Sequence, residues 1–135
     1  MLPQSKERVQ IETFPVTPDE LEAGLKVVNA FLKDLSRGDV NAGWNSVSDE
    51  TKAAISHDAW KEMLSVLYSE AGDRRAGNFD HAVKVKSLPG GFSGDIMVVV
   101  VAADYSRENI AETISLIRKD GRWKLASFNY KLAGY

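Results

Sequence analysis

The spacing of apolar residues changes once along this chain, near Asp80, from a helical period to a period of two. Before that point an apolar stripe at spacings of four, three, four and three predicts a long amphipathic helix. The members of this stripe are Leu21, Leu25, Val28, Leu32 and Leu35. Thr17 to Glu20 has the composition of a capping box, and Gly38 suits the end of the helix. We therefore expect helices in the first half of the chain and strands in the second.

Two more helical segments precede the change of period. Asp39 is placed to cap a short helix that runs through Val47, with a further turn reaching Ile55. Ser56 is placed to cap a third helix, which Gly72 ends. The stripe of this third helix comprises Trp60, Leu64, Leu67 and Ala71. The first half of the chain therefore contains about three helices.

Four strands are predicted after Asp80. Val83 and Val85 alternate with lysines, which is typical of a half-exposed strand. The second strand, Ile96 to Tyr105, is apolar at almost every position, so both of its faces should be covered. The third strand runs from about Ile110 to Lys119 and the fourth from Arg122 to Leu132. The sequence thus predicts an α+β domain in which the helices pack on a curved four-stranded antiparallel sheet.

A two-residue hairpin turn, Asp120-Gly121, sets the register of the last two strands. If Lys119 faces Arg122, stepping outward along both strands places Glu112 opposite Asn129. Both faces of this hairpin then contain a mixture of polar and apolar residues. We expect one face to contact the helices and the other to be covered in some other way.

Length and charge limit the possible functions. A chain of 135 residues has the size of one domain, which we place at residues 17–135 after a flexible arm at 1–16. With 17 basic and 19 acidic residues, the net charge of −2 argues against nucleic-acid binding. The longest apolar run is far too short for a transmembrane helix, and the first ten residues lack the core of a signal peptide. The absence of cysteine excludes thiolate metal sites and thiol nucleophiles.

Several segments resemble a bacterial family known as domain of unknown function 4019. The resemblance rests on the order and spacing of short pieces between about residues 25 and 130. These pieces are Phe31-Leu32, Gly38-Asp39, Trp44, Trp60, Arg74 with Gly77, Leu88-Pro89-Gly90, Glu112-Thr113 and Asp120 to Lys124. The resemblance implies a cystatin-like fold, shared with nuclear transport factor two-like proteins, and export to the periplasm or outside the cell. It implies no activity, and the sequence itself leaves a cytoplasmic location open.

Five residues are candidates for a ligand pocket between the sheet and the helices: Glu112, Asn129, Arg74, Tyr105 and Trp123. A buried Glu112 could act as a general base, although pairing with a neighbouring polar residue is the more common role for such a carboxylate. Arg74 could bind a carboxylate, or simply complement the dipole of the preceding helix. Asp104 beside Tyr105 could polarise a carbonyl group, or face solvent. Trp123 could line the pocket or contribute to an interface.

No metal or cofactor is expected. The two histidines, His57 and His81, are far apart in the sequence and have no partner at metal-ligand spacing. Two hypotheses of function stay open. The first is an exported binding or interaction domain that forms a homodimer through its sheet. The second is an isomerase, dehydratase or hydrolase that acts on a small apolar molecule held in the pocket.

Overall fold

A computed structural model describes residues 12–132 of the chain. The elements follow the predicted order of helices and then strands. Three α-helices, α1 (Pro18–Leu35), α2 (Asp49–Ala54) and α3 (His57–Ala71), precede four strands, β1 (Arg74–Leu88), β2 (Phe92–Tyr105), β3 (Asn109–Lys119) and β4 (Arg122–Leu132). The strands form one antiparallel sheet in the order β1-β2-β3-β4. This confirms the predicted α+β fold.

The helix ends follow the local sequence. The Thr17 hydroxyl accepts the backbone N–H of Glu20, whose carboxylate in turn accepts the N–H of Thr17, so the predicted capping box is formed. The predicted short helix from Asp39 to Val47 is wrong. Turns and a short 3₁₀ helix, Trp44–Ser46, occupy that segment. Gly43 lies there at φ +78°, a conformation that an α-helix cannot include.

One face of the sheet contacts the helices, and we call it the concave face. The residues of β2 that point to it have odd numbers, from Met97 to Tyr105, and all are buried. The space between this face and the helices is filled by large side chains. These are Phe31, Leu35, Trp60, Leu64, Leu67, Ile114, Leu116, Leu125 and Phe128, all in one core cluster. The centre of the fold is therefore packed rather than hollow.

The opposite face of the sheet, which we call the convex face, has no helix against it among the described residues. Near the β1–β2 turn it contains its own buried cluster of Val85, Ile96, Ile117 and Ala126. Further along β2, Val98 and Val100 are only partly buried and Ala102 is exposed. The expectation that both faces of the second strand are covered is therefore met only at one end.

The predicted register holds next to the hairpin turn and fails beyond it. Lys119 pairs with Arg122 and Leu116 with Leu125, as expected. A β-bulge then leaves Ala126 without a partner, so Glu112 lies opposite Tyr130 and not opposite Asn129. The predicted Glu112–Asn129 pair is wrong, and Asn129 is exposed on the convex face.

The bulge has a clear physical reason. The carbonyl of Ala126 accepts a hydrogen bond of 2.7 Å from the hydroxyl of Thr51 in α2, and the carbonyl of Leu125 accepts one from Ser48. Past the bulge, Phe128 turns to the concave face and packs edge-on against Phe31, with ring centroids 5.0 Å apart. Burying this ring in place of Ser127 is favourable because apolar area leaves water.

The first strand begins earlier than the sequence suggests. It starts at Arg74, directly after α3, and residues 75–81 are all exposed at the edge of the sheet. Phe14 forms an isolated antiparallel bridge with Lys84 through two backbone hydrogen bonds of 2.8 Å. This part of the predicted arm therefore lies against β1. The rest of the predicted arm, residues 1–11, is outside the described residues.

Candidate functional site

Three of the five predicted pocket residues meet inside the domain. Arg74 opens β1 and pairs with Tyr105 at the end of β2, while Glu112 lies on β3. The Arg74 guanidinium binds the Glu112 carboxylate with both of its arms, Nε to Oε2 at 2.8 Å and Nη2 to Oε1 at 2.9 Å. The Tyr105 hydroxyl donates to the same Oε2 at 2.7 Å. We call these three side chains the buried triad.

The position of Arg74 is fixed by the end of α3. Gly72 ends the helix at φ +85°. The turn between β2 and β3 forms backbone hydrogen bonds with the residues on either side of Gly72. The N–H of Arg107 donates to the carbonyl of Ala71, and the N–H of Ser106 donates to the carbonyl of Asp73. The side chain of Arg74 is thereby directed under the helices, where Nη1 donates to the Ser36 hydroxyl at 3.0 Å.

Gly77 makes room for the guanidinium. It lies on the concave face opposite Ala103, and a Cβ added there would be 2.1 Å from Nη2 of Arg74. Since real Cβ atoms do not approach other atoms so closely, any other residue at this position would displace Arg74. The spacing of Arg74 and Gly77, one of the pieces behind the family resemblance, therefore has a packing reason.

The triad is fully buried and its polar atoms are paired. Glu112 is 0% exposed, Tyr105 2% and Arg74 8%. Burial by itself would lower the pKa of Arg74, but the hydrogen bond and negative charge of Glu112 outweigh it, and the pKa is raised. Burial, and then the charge of Glu112, raises the pKa of the Tyr105 phenol. Arg74 therefore stays charged and Tyr105 stays a hydrogen-bond donor at physiological pH.

Three cavities of the described chain open elsewhere. One of about 520 Å³ lies between Phe14 and Asp95, and one of about 650 Å³ lies between α2 and the β3–β4 turn. A third, of about 460 Å³, lies between the end of α3 and the ends of β3 and β4, where Tyr130 and Ile110 line it. None of the three is lined by a residue of the triad. Glu112 therefore has no open path to a ligand through these cavities.

The other predicted pocket residues lie apart from the triad. Trp123 is on the concave face at the opposite end of β3 and β4, where its ring lies beneath the charged groups of Lys84 and Arg118 at 5.8 and 4.9 Å. Asp104 is exposed on the convex face. The structure therefore brings Arg74, Tyr105 and Glu112 together, whereas Asn129, on the convex face, and Trp123 lie apart from them.

A second polar cluster was not found from the sequence. Lys84 donates to Glu20 at 2.6 Å and pairs with Asp95, while Arg118 pairs with both carboxylates. Glu20 comes from α1 and the other groups from three different strands, so no local spacing marks this cluster. The hydrogen bond from Lys84 is the main reason that the pKa of Glu20 is lowered to about 2. The cluster links the start of α1 to the sheet through ion pairs.

The histidines have local partners. His57 stacks on Trp44, with ring centroids 4.7 Å apart, and its Nε2 lies 2.7 Å from Oδ1 of Asn41. His81 is exposed on β1 beside Asp80. Among the described residues there is no group of three or more side chains of the kinds that bind metals. In the same part of the chain no helix is long and apolar enough to cross a membrane.

The family model described as "Protein of unknown function (DUF4019)" matches residues 27–128, which include the whole triad and most of the sheet. The chain belongs to the DUF4019 family. The DUF4019 match also includes Gly77, whose packing against Arg74 gives the motif a structural meaning. No curated protein matches the sequence significantly.

Solved structures show the wider fold of this DUF4019 domain. An NTF-2 like protein of unknown function from Silicibacter pomeroyi has a TM-score of 0.52 and 18% identity, over 87% of this chain and 99% of that chain. The protein Aln2 from a Streptomyces species has a TM-score of 0.55 and 9% identity, over 88% of this chain and 93% of that chain. At these identities the likeness shows the fold alone, which is NTF2-like, as the sequence resemblance implies.

Proposed function

We propose that this domain is an interaction module that pairs with a second copy of itself through the convex face of its sheet. The observation behind the proposal is that this face presents small and apolar side chains on neighbouring strands, and that no helix within residues 12–132 packs against it. Its partly buried or exposed members are Val83, Val98, Val100, Ala102, Ala111 and Thr113. Association with a partner that removes an apolar surface of this kind from water is energetically favourable.

The size of the convex face sets the expected strength of the pairing. Four strands about 4.8 Å apart, with four residues on this face of each strand, give about 500 Å² per copy. A pair of such faces is close to the lower limit for a specific interface. We therefore expect a dimer that dissociates in the micromolar range, rather than an obligate one.

Sedimentation equilibrium between about 1 and 300 µM tests the proposal. Val100 lies in the middle of the convex face, so Val100→Asp should abolish the dimer by burying a charge. Val66→Asp is the matched control, because Val66 is an exposed valine (38%) on the outer side of α3. A protein that is strictly monomeric at every concentration would contradict the proposal, as would an equal effect of the two variants.

An enzymatic role for the triad has less support. A general base must reach the proton that it removes, and both oxygens of Glu112 already accept hydrogen bonds within the core. A thermal-shift screen with small apolar compounds tests this alternative. A compound that stabilises the parent protein, but not Glu112→Gln, would favour an enzyme or a ligand-binding site at the triad.

Export is also part of the proposal, and the resemblance to this bacterial family supports it. The relevant measurement is fractionation of the native host, followed by determination of the N-terminus of the mature protein. Recovery from the periplasm, with a processed N-terminus, is the expected result. Recovery from the cytoplasm would contradict export without affecting the proposal of self-association.

A further inference from the structure

The side chains of the convex face form rows that cross all four strands. The strand pairings define four such rows: Val85–Ile96–Ile117–Lys124, Val83–Val98–Ser115–Ser127, His81–Val100–Thr113–Asn129 and Asn78–Ala102–Ala111–Lys131. Each row begins on β1 and ends on β4. The rows give the positions of these side chains in two directions, along the strands and across them, and Asp104 belongs to a further row, Ala76–Asp104–Asn109, on the first three strands.

Charge is distributed unevenly across these rows. The β4 side of the face is basic, with Lys124 and Lys131 as the ends of two rows. Asp104 is an exposed carboxylate on β2, and the exposed charged residues of the edge strand β1 have both signs: Arg75, Lys86 and Asp80, which lies 3.4 Å from His81. On β2 and β3 the charged residues of this face are Asp104 and, beside the hairpin turn, Lys119, which pairs with Glu50 of α2. Because Asp104 lies away from the lysines of β4, two copies can be oriented so that a lysine of one copy approaches the carboxylate of the other.

Two copies packed face to face can be related by a two-fold axis along the strands or across them. An axis across the strands would place β4 over β4 and bring the lysines of one copy towards those of the other. An axis along the strands places β4 of one copy over β1 of the other, so the lysines of the two β4 strands lie apart and Lys131 lies closer to Asp104 of the second copy. Aligned packing of two sheets also keeps their strand directions within about 30° of each other.

From these rows, and resting on the self-association proposed above, we propose that the two-fold axis runs along the strands and that Lys131 pairs with Asp104 of the second copy. Position along the strand is preserved by this axis, so Lys131 lies over the row that begins with Asn78. Asp104 is one strand further in and two residues further along. A lysine side chain spans such a distance, and both residues are exposed in the single chain.

Charge reversal tests the pairing. Lys131→Glu and Asp104→Lys should each weaken the dimer about tenfold, because each places two pairs of like charges in the symmetric interface. The double variant restores both pairs with the opposite polarity. We expect its dissociation constant to return to within about threefold of the parent value, as measured by sedimentation equilibrium at low salt.

A matched control separates pairing from net charge. Lys131→Glu combined with Glu62→Lys has the same net charge as the double variant, but Glu62 is exposed on α3, away from the sheet. This control should stay weak. Three results would each overturn the proposed pairing. The control could recover the dissociation constant of the parent, or neither single reversal could change it. The third is a double variant whose dimer is weakened by the sum of the two single effects. A parent protein without any dimer would instead overturn the proposed function itself.

Discussion

Replacing Gly77 with alanine should destabilise the domain, although the same change at an ordinary strand glycine is favourable. Gly77 does not have a positive φ, so its backbone accepts alanine. The new Cβ, however, would be 2.1 Å from Nη2 of Arg74, and because real Cβ atoms essentially never lie within 3.0 Å of another atom, the guanidinium would have to move away. This movement breaks the bond of 2.9 Å to Oε1 of Glu112.

The expected size follows from the bond that is lost. A hydrogen bond to a charged group contributes about 1.5–3 kcal/mol, and its loss leaves part of a buried charge unpaired. The smaller conformational entropy of unfolded alanine offsets about 0.5–1 kcal/mol of this loss. We expect Gly77→Ala to lower the free energy of unfolding by about 2 kcal/mol, which moves the urea midpoint by about 1 M.

The decisive comparison uses Arg74→Lys as a second background. Lysine keeps the positive charge but has no atom in the place of Nη2, so in that background Gly77→Ala should be neutral or slightly stabilising. The contact of the new Cβ with Val101, at 3.1 Å, is the same in both backgrounds and cancels. Urea unfolding followed by circular dichroism measures all four proteins. Equal destabilisation in the two backgrounds, or none in the parent, would refute the role assigned to Gly77.

Two further predictions concern the polar clusters. Tyr105→Phe should lower the free energy of unfolding by about 1–2 kcal/mol in thermal or urea unfolding, because it removes the 2.7 Å bond to Glu112 while Arg74 remains in place; an unchanged midpoint would contradict this bond. The folded pKa of Glu20, about 2 against an ordinary 4.5, is lowered chiefly by the hydrogen bond from Lys84. The contribution of the Glu20–Lys84 pair to the free energy of unfolding is therefore fully present above about pH 5 and is lost as the pH falls towards 2. Unfolding free energies measured between pH 7 and 2 should fall less steeply for Glu20→Gln, and parallel curves would contradict the assignment.

The sequence predicts those parts of the fold that depend on neighbouring residues. The capping box at Thr17 and the Asp120-Gly121 turn are local, and both are formed as expected. The register beyond Leu125 could not be predicted, because the bulge at Ala126 depends on a hydroxyl from Thr51, 75 residues earlier. The early start of β1 was missed because an exposed edge strand lacks the apolar alternation that marks a buried one.

The candidate site shows the same limit. Arg74, Tyr105 and Glu112 could each be selected from the sequence as polar residues near the ends of elements. Nothing in the spacing could show that they bind one another, since Arg74 and Glu112 are 38 residues apart. A pocket hypothesis treats such residues as available for a ligand. Only the tertiary structure shows that the hydrogen-bonding groups of these three side chains are already used by one another.

The bulge at Ala126 also links the two faces of the sheet. Without it, Asn129 would be directed into the core beside Glu112, and Phe128 would lie on the convex face. With it, Phe128 closes the concave side and Asn129 joins Lys131 on the convex side. One extra residue in β4 therefore places an aromatic ring rather than an amide in this part of the core and gives the outer face its polar edge. The groups of the triad bind one another inside the core, whereas Asn129 and Lys131 are exposed on the outer face, and for this reason we assign the proposed interaction to that face rather than to the triad.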